Sequence, residues 1–321
     1  MIEIGAIRAA AEQIAGYVLR TPTVPSPDLS ALFGVPVTLK LELLQRTGSF
    51  KVRGAYLKLL GLSAAERDAG VVAVSGGNHA KAVADAAGVL GVAATIVMPE
   101  SAPARSAEAA REAGATVRLT ADMPSAFALM HELVAAGRTL VHPFDDPVVV
   151  AGQGTVGLEL ALAAPELTDV LVSIGGGGLI AGVAAAFHAL APEVRVWGVE
   201  TEGADAMTRA LAAGAVVPIT PTSVVTTLSA PYVSALTLDH VRARVTEVLV
   251  VSDADAVRGT LTLAERARVW AEPAAGCLVP AAVQVLDRVG PDAHLGLVVC
   301  GGNVTTAGIA AWARRFDATA W

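Results

Sequence analysis

From residue 71 onward the chain repeats a pattern that few architectures can use: a short apolar run, a helical stretch, then another apolar run. VVAVS (71–75), ATIVMP (94–99), 116–119 and 139–142 read as strands, with helices over 79–89, 102–113 and 124–136 between them. Strands separated by helices can only join through long crossovers, so they pair in parallel and bury both faces of their sheet. The turn-rich HPFDDP (142–147) then interrupts the alternation. A second series follows, with strands at 171–174, 194–200, 247–252 and 295–300, each succeeded by a helix. With 321 residues, the chain has room for two such α/β units.

The first 70 residues are less regular. MIEIGAIRAAAEQIAGYVLR reads as an amphipathic helix, with Glu3 and Glu12 and without the basic-then-apolar order of a signal peptide. The Pro-rich 21–27 breaks the chain ahead of a short helix at 28–33 and a strand at 36–42, and 218–234 reads as a loop near the site. The apolar window 170–190 holds four consecutive glycines and ends near His188, which argues against a membrane span. A hydrophobic fraction of 54% against 17% charged excludes intrinsic disorder. A net charge of −7 without a basic cluster argues against nucleic acid. Cys277 and Cys300 form neither a disulfide framework nor a metal-ligand spacing, so a reducing cytoplasm is expected.

The strongest chemical signal is Gly175-Gly176-Gly177-Gly178, directly after one apolar strand and before a helix starting near Leu179. Consecutive residues without side chains let backbone N–H groups approach an anion, and the helix N-terminus adds a favourable field. That describes a phosphate cradle. Two other readings stay open here: a tight turn with no ligand, and a dinucleotide fingerprint, Gly176-x-Gly178-x-x-Ala181, with Glu200 as the ribose acid of an NAD-linked oxidoreductase. Lysine is scarce, and Lys40, Lys51, Lys58 and Lys81 are the only four. Lys51 lies between Phe50 and Val52, where it is either a surface lysine or a buried amine able to form a Schiff base. Ser75-Gly76-Gly77-Asn78-His79 offers loop amides for a carboxylate. Cys300-Gly301-Gly302-Asn303 is explained by helix-start chemistry alone.

Taken in order, TGSFKVRGA (47–55), SGGNHA (75–80), PFDDPVVVAGQGTVGLEL (143–160), GGGGLIAG (175–182), EPAAG (272–276) and CGGNV (300–304) resemble the fold-type II pyridoxal-phosphate enzymes, in the serine/threonine dehydratase and serine racemase branch. The resemblance implies an α/β fold of two three-layer domains with mainly parallel twisted sheets. Residues 1–52 with 145–321 would form the large cofactor-binding domain, and 53–144 the small substrate-loop domain. It implies pyridoxal 5'-phosphate as cofactor, anchored on Lys51, with Phe50 against its ring, Asn78 at the ring hydroxyl and Cys300 at the pyridine nitrogen. The phosphate would lie on Gly175, Gly176, Gly177, Gly178 and Leu179. Ser75, Gly77, Asn78 and His79 would line the substrate carboxylate. A small amino-acid substrate and a homodimer are the expected partners.

Three departures shape the functional expectation. Racemases of this branch have a serine just before the Gly-Asn-His triplet as the opposite-face acid/base, where this chain has Gly76, so elimination of water is expected over racemisation. Cation-binding relatives have an acid six residues beyond the strand-end glutamate; here Glu200 is followed at that distance by Ala206, with Asp205 one place early, which argues against a metal. The Asp-Gly pair after the variable loop is replaced by VVTTLS (224–229). A β-replacement enzyme fits less well, because His79 stands where such enzymes carry threonine. The expected activity is a pyridoxal-phosphate dependent lyase that converts threonine, serine or a similar β-hydroxy amino acid to a 2-oxo acid and ammonia.

Overall fold

A computed structural model describes residues 1–321 and contains ten strands. They are β1 (Thr23–Pro25), β2 (Val37–Leu41), β3 (Val71–Val74), β4 (Ala94–Pro99), β5 (Thr116–Thr120), β6 (Thr139–Leu140), β7 (Asp169–Ser173), β8 (Arg195–Thr201), β9 (Glu247–Val251) and β10 (Leu295–Val299). One sheet has the order β1-β2-β10-β7-β8-β9 and the other β5-β4-β3-β6. Every neighbouring pair is parallel except β1 with β2. The expected α/β class with mainly parallel sheets is what forms.

The local chemistry explains the elements. β3 and β7 are buried at every position, as a strand covered by helices on both faces must be, whereas β5, at the edge of its sheet, has no fully buried position. Helix Pro147–Ala163 begins on Asp146, whose Oδ1 accepts from Val148 N at 2.8 Å, with proline in the first turn where no N–H is needed. Two expectations for the strands are corrected. The Pro-rich 21–27 contains β1, an antiparallel edge strand, which tolerates Pro25 because an edge leaves one side of the ladder unpaired. The last small-sheet strand is only Thr139–Leu140, since the chain turns away at His142.

Three helices stack at backbone distance beneath the site. A Cβ on Gly152 would lie 2.7 Å from Gly54 Cα, and one on Gly182 would lie 2.5 Å from Gly154 N. Helices Lys51–Leu60, Pro147–Ala163 and Gly178–Leu190 therefore meet without side chains between them at these crossings. The AGQG of 151–154 is explained by this packing rather than by a ligand. Buried side chains of these helices join those of Asn78–Leu90 in one apolar cluster, while a second cluster fills the six-stranded sheet. We propose the same division into 1–52 with 145–321 and 53–144, noting that helix Lys51–Leu60 runs across residue 52. No helix is long and apolar enough to cross a membrane.

Candidate active site

Parallel pairing brings the C-terminal ends of β2, β7 and β10 to one edge of the large sheet, where open α/β sheets hold ligands. The segment that follows β2 leads to Lys51, β7 leads into the four glycines, and Cys300 directly follows β10. Phe50 N donates to Cys300 O at 3.1 Å and Gly302 N to Gly48 O at 2.9 Å, so the lysine loop is stitched to the end of β10. Ser75–Gly77 approaches from the small sheet, within reach of Thr227, whose Cγ2 would be 3.9 Å from a Cβ on Gly77.

Lys51 opens helix Lys51–Leu60 and is not a surface lysine. Its Nζ donates to Pro143 O at 3.0 Å and lies 5.2 Å from the centroid of the Phe50 ring. Burial pulls its pKa down to about 8. Two residues on, the fully buried Arg53 clamps the helix in place. It donates to both Glu42 oxygens at 2.8 Å, to Glu159 at 2.7 and 2.9 Å and to Thr155 Oγ1 at 3.1 Å. Lys40 completes this internal network on Glu159 and Thr21 O.

The glycine turn has the features of an anion cradle. Gly177 takes φ of 91°, and the N–H groups of Gly175 through Leu179 donate to no protein acceptor. Thr237 Oγ1 holds Gly176 O at 2.9 Å, fixing the peptide orientation. A Cβ on Gly176 would fall 2.0 Å from the Phe144 ring, so Phe144 closes one wall of the cradle. His142 and Tyr232 pack edge-on against that ring.

Cys300 is buried, accepts from Ser173 Oγ at 3.5 Å, and has its pKa pushed up to about 12 by burial and then by Glu272. It is a neutral thiol. Asn78 Nδ2 donates to Glu272 Oε1 at 2.9 Å and Oε2 at 3.2 Å, and its Oδ1 accepts from Asn303 Nδ2 at 2.8 Å. Ser75 Oγ accepts from Gly77 N at 3.1 Å, which shapes the loop. The His79 imidazole turns away to Val141 O at 2.8 Å, and burial, then the Lys51 charge, lowers its pKa to about 3. What His79 offers the loop is therefore its backbone N–H at the start of helix Asn78–Leu90.

Glu200 does different work. Its oxygens accept from Met207 N, Thr208 N and Thr208 Oγ1 at 2.7–2.8 Å, capping helix Ala206–Ala213. Burial raises its pKa to about 7. Asp205 pairs with Arg209, and no group of three His, Cys, Asp or Glu side chains gathers there.

Sequence reasoning gave no role to Glu272, Asn303 or Phe144, although each lies in a segment it singled out. Asn303 is also a correction: the cap of helix Thr306–Phe316 is Thr305, while Asn303 reaches Thr47 O, Asn78 and Lys81. A Gly-Gly-Asn before a helix looks the same in either case.

The family model described as pyridoxal-phosphate dependent enzyme matches residues 14–301. The L-threo-3-hydroxyaspartate ammonia-lyase of a Pseudomonas species is 40% identical over 300 residues, covering 92% of this chain and 93% of the relative. The L-threonine ammonia-lyase of Thermotoga maritima is 40% identical over 308 residues, covering 95% and 76%. Among solved structures, maize serine racemase superposes with a TM-score of 0.91 at 34% identity, covering 98% of this chain and 97% of that one.

Proposed function

Because the chain belongs to the family of pyridoxal-phosphate dependent enzymes, we propose that it is an ammonia-lyase, a dehydratase that takes water from a small β-hydroxy amino acid to leave a 2-oxo acid and ammonia. The dinucleotide reading of the glycines is set aside on the same family match, and Glu200, its ribose acid, caps a helix instead. One observation carries the proposal: a half-buried amine of lowered pKa, Lys51, stands with a turn of five unpaired N–H groups at the same sheet edge.

The residues fit the cofactor. Gly175–Leu179 would hold its phosphate, Lys51 would anchor it covalently, and Phe50, Asn78 and Cys300 would meet its ring. When bound, pyridoxal phosphate supplies the electron sink that lets a substrate lose its α-proton. Lys51 is the base. With a pKa of about 8, a usable fraction of its amine is neutral near physiological pH, and Pro143 O stands ready to hold the ammonium once the proton has moved. The Ser75–His79 loop presents N–H groups to the substrate carboxylate, which orients Cα. Phe144 excludes water from the cradle side. Departure of the β-hydroxyl as water releases an enamine that hydrolyses to the 2-oxo acid and ammonia.

Threonine and serine are the substrates proposed. A homodimer and a cytoplasmic location complete the reading, the latter supported by two free, buried cysteines. The test is 2-oxo acid formation from L-threonine, L-serine and L-threo-3-hydroxyaspartate by the purified, cofactor-loaded protein. Turnover is expected with threonine or serine; no 2-oxo acid from any of the three would overturn the proposal.

A further inference from the structure

Of the four lysines, Lys51 is the base, Lys40 belongs to the Arg53 network, and Lys58 pairs with the cap residue Asp146 at 2.7 Å. Lys81 remains unexplained. It lies one turn into helix Asn78–Leu90, half-buried, and its Nζ donates to Asn303 Oδ1 at 2.9 Å. From there the hydrogen bonds continue inward. Asn303 Nδ2 donates to Asn78 Oδ1 at 2.8 Å and to Thr47 O at 2.8 Å, and Asn78 Nδ2 donates to the Glu272 carboxyl.

The polarity of this chain is set at its outer end, where Lys81 can only donate to Asn303 and Thr47 O can only accept from it. A primary amide has a donor and an acceptor end of nearly equal shape, and either can face a neighbour that offers both. An ammonium has donors only. Asn303 must therefore present oxygen to Lys81, which leaves its NH₂ for Asn78. Asn78 must then present oxygen to Asn303, which turns its own NH₂ inward. One of those two hydrogens goes to Glu272, and the other is free for the oxygen that Asn78 meets on the cofactor ring. Were both amides reversed, Asn78 would show its oxygen to the Glu272 carboxylate and to the ring oxygen, two acceptors facing an acceptor.

We propose that Lys81 is a positioning residue for the cofactor ring: acting through Asn303, it fixes the Asn78 amide with its donor end toward the ring hydroxyl and Glu272. The inference rests on the placement of Asn78 beside the ring. Lys81 and Glu272 also stabilise each other's charged forms, in line with the direction of the relay.

The experiment uses the full chain and three variants, Lys81→Met, Lys81→Arg and Asn78→Ala. Pyridoxal phosphate is titrated into each apoprotein, and both its dissociation constant and the absorption spectrum of the bound form are read. Loss of one directed hydrogen bond in a buried site corresponds to about tenfold in affinity. Lys81→Met is expected to weaken binding by about that factor and to change the spectrum as Asn78→Ala does. Lys81→Arg keeps a donor-only side chain and is expected to restore both. A purely structural role for Lys81 would lower Tm in the Met variant and leave the spectrum as in the wild type, which overturns the inference. If Asn78→Ala also leaves affinity and spectrum unchanged, the placement of Asn78 fails, and the inference with it. If Asn78→Ala changes them and Lys81→Met does not, the relay alone is refuted.

Discussion

Gly76→Ser tests the argument that this chain eliminates rather than racemises. Racemases of the branch it resembles carry a serine there, and restoring the hydroxyl supplies an acid/base opposite Lys51. The structure shows why the substitution is not free. A Cβ on Gly76 would lie 2.7 Å from Ala102 Cβ. Two carbons prefer about 3.5 Å or more, so Ala102 must retreat by roughly 0.8 Å. Overpacking of this kind costs about 1–3 kcal/mol, a Tm loss of roughly 1.5–4.5 °C for a chain of this size. Ala102→Gly removes the obstructing methyl, and the next neighbour, Ala102 Cα at 3.6 Å, is an ordinary contact. The double variant Gly76→Ser, Ala102→Gly should therefore be more stable than the single one, a coupling that marks direct contact. A positioned acid/base contributes about 10²–10⁴ in rate, so D-serine formation from L-serine should rise by at least about 10² in the double variant. D-serine is measured by chiral chromatography alongside pyruvate. Rapid racemisation by the wild type would refute the argument from Gly76; a single variant as stable as wild type would refute the argument from Ala102.

Three further outcomes follow from the site. Arg53→Met strands Glu42 and Glu159 without their main partner and should cost about 3–5 kcal/mol in urea unfolding, with Glu42→Gln added to it recovering part; an unchanged midpoint would remove this network from the account. His79 has a folded pKa of about 3 against an unfolded value near 6.5, so the unfolded chain binds the extra proton between these values and stability falls as pH drops through that window. Relative to wild type, His79→Gln should lose up to about 1.4 kcal/mol per pH unit of this slope, a difference that isolates it from Glu200, whose raised pKa acts in the opposite sense. Cys300→Ser exchanges one neutral donor for another and should keep kcat within roughly tenfold, about 1.4 kcal/mol of barrier; a loss beyond 10²-fold would show that sulfur itself matters.

The α/β class, the glycine turn and Lys51 were legible because each is written in consecutive residues: VVAV can only be a doubly covered strand, and four glycines after a strand have few uses. β1 was hidden because prolines 22, 25 and 27 signal a break, and only its place at an edge makes it compatible with a strand. The relay could not be read at all. Lys81, Asn303, Asn78 and Glu272 come from segments separated by up to 225 residues, and it is their mutual orientation, not any local spacing, that carries the meaning. The racemase question lay between these extremes: Gly76 was visible, while its collision partner Ala102 belonged to a different strand's turn.

With every lysine engaged inside the fold and none exposed, the molecule is an unusually simple object for peptide mapping. A lysine-specific protease acting on the unfolded chain has four cut sites and gives five fragments. One of its cuts falls after Lys51, separating 41–51 from 52–58. With the cofactor anchored on Lys51 as proposed, reduction of the loaded protein with borohydride is expected to make the attachment permanent and to block that cut. A single fragment, 41–58, heavier by the mass of the reduced cofactor, then replaces the two, and a mass spectrum reports both the attachment site and the loaded fraction of the population.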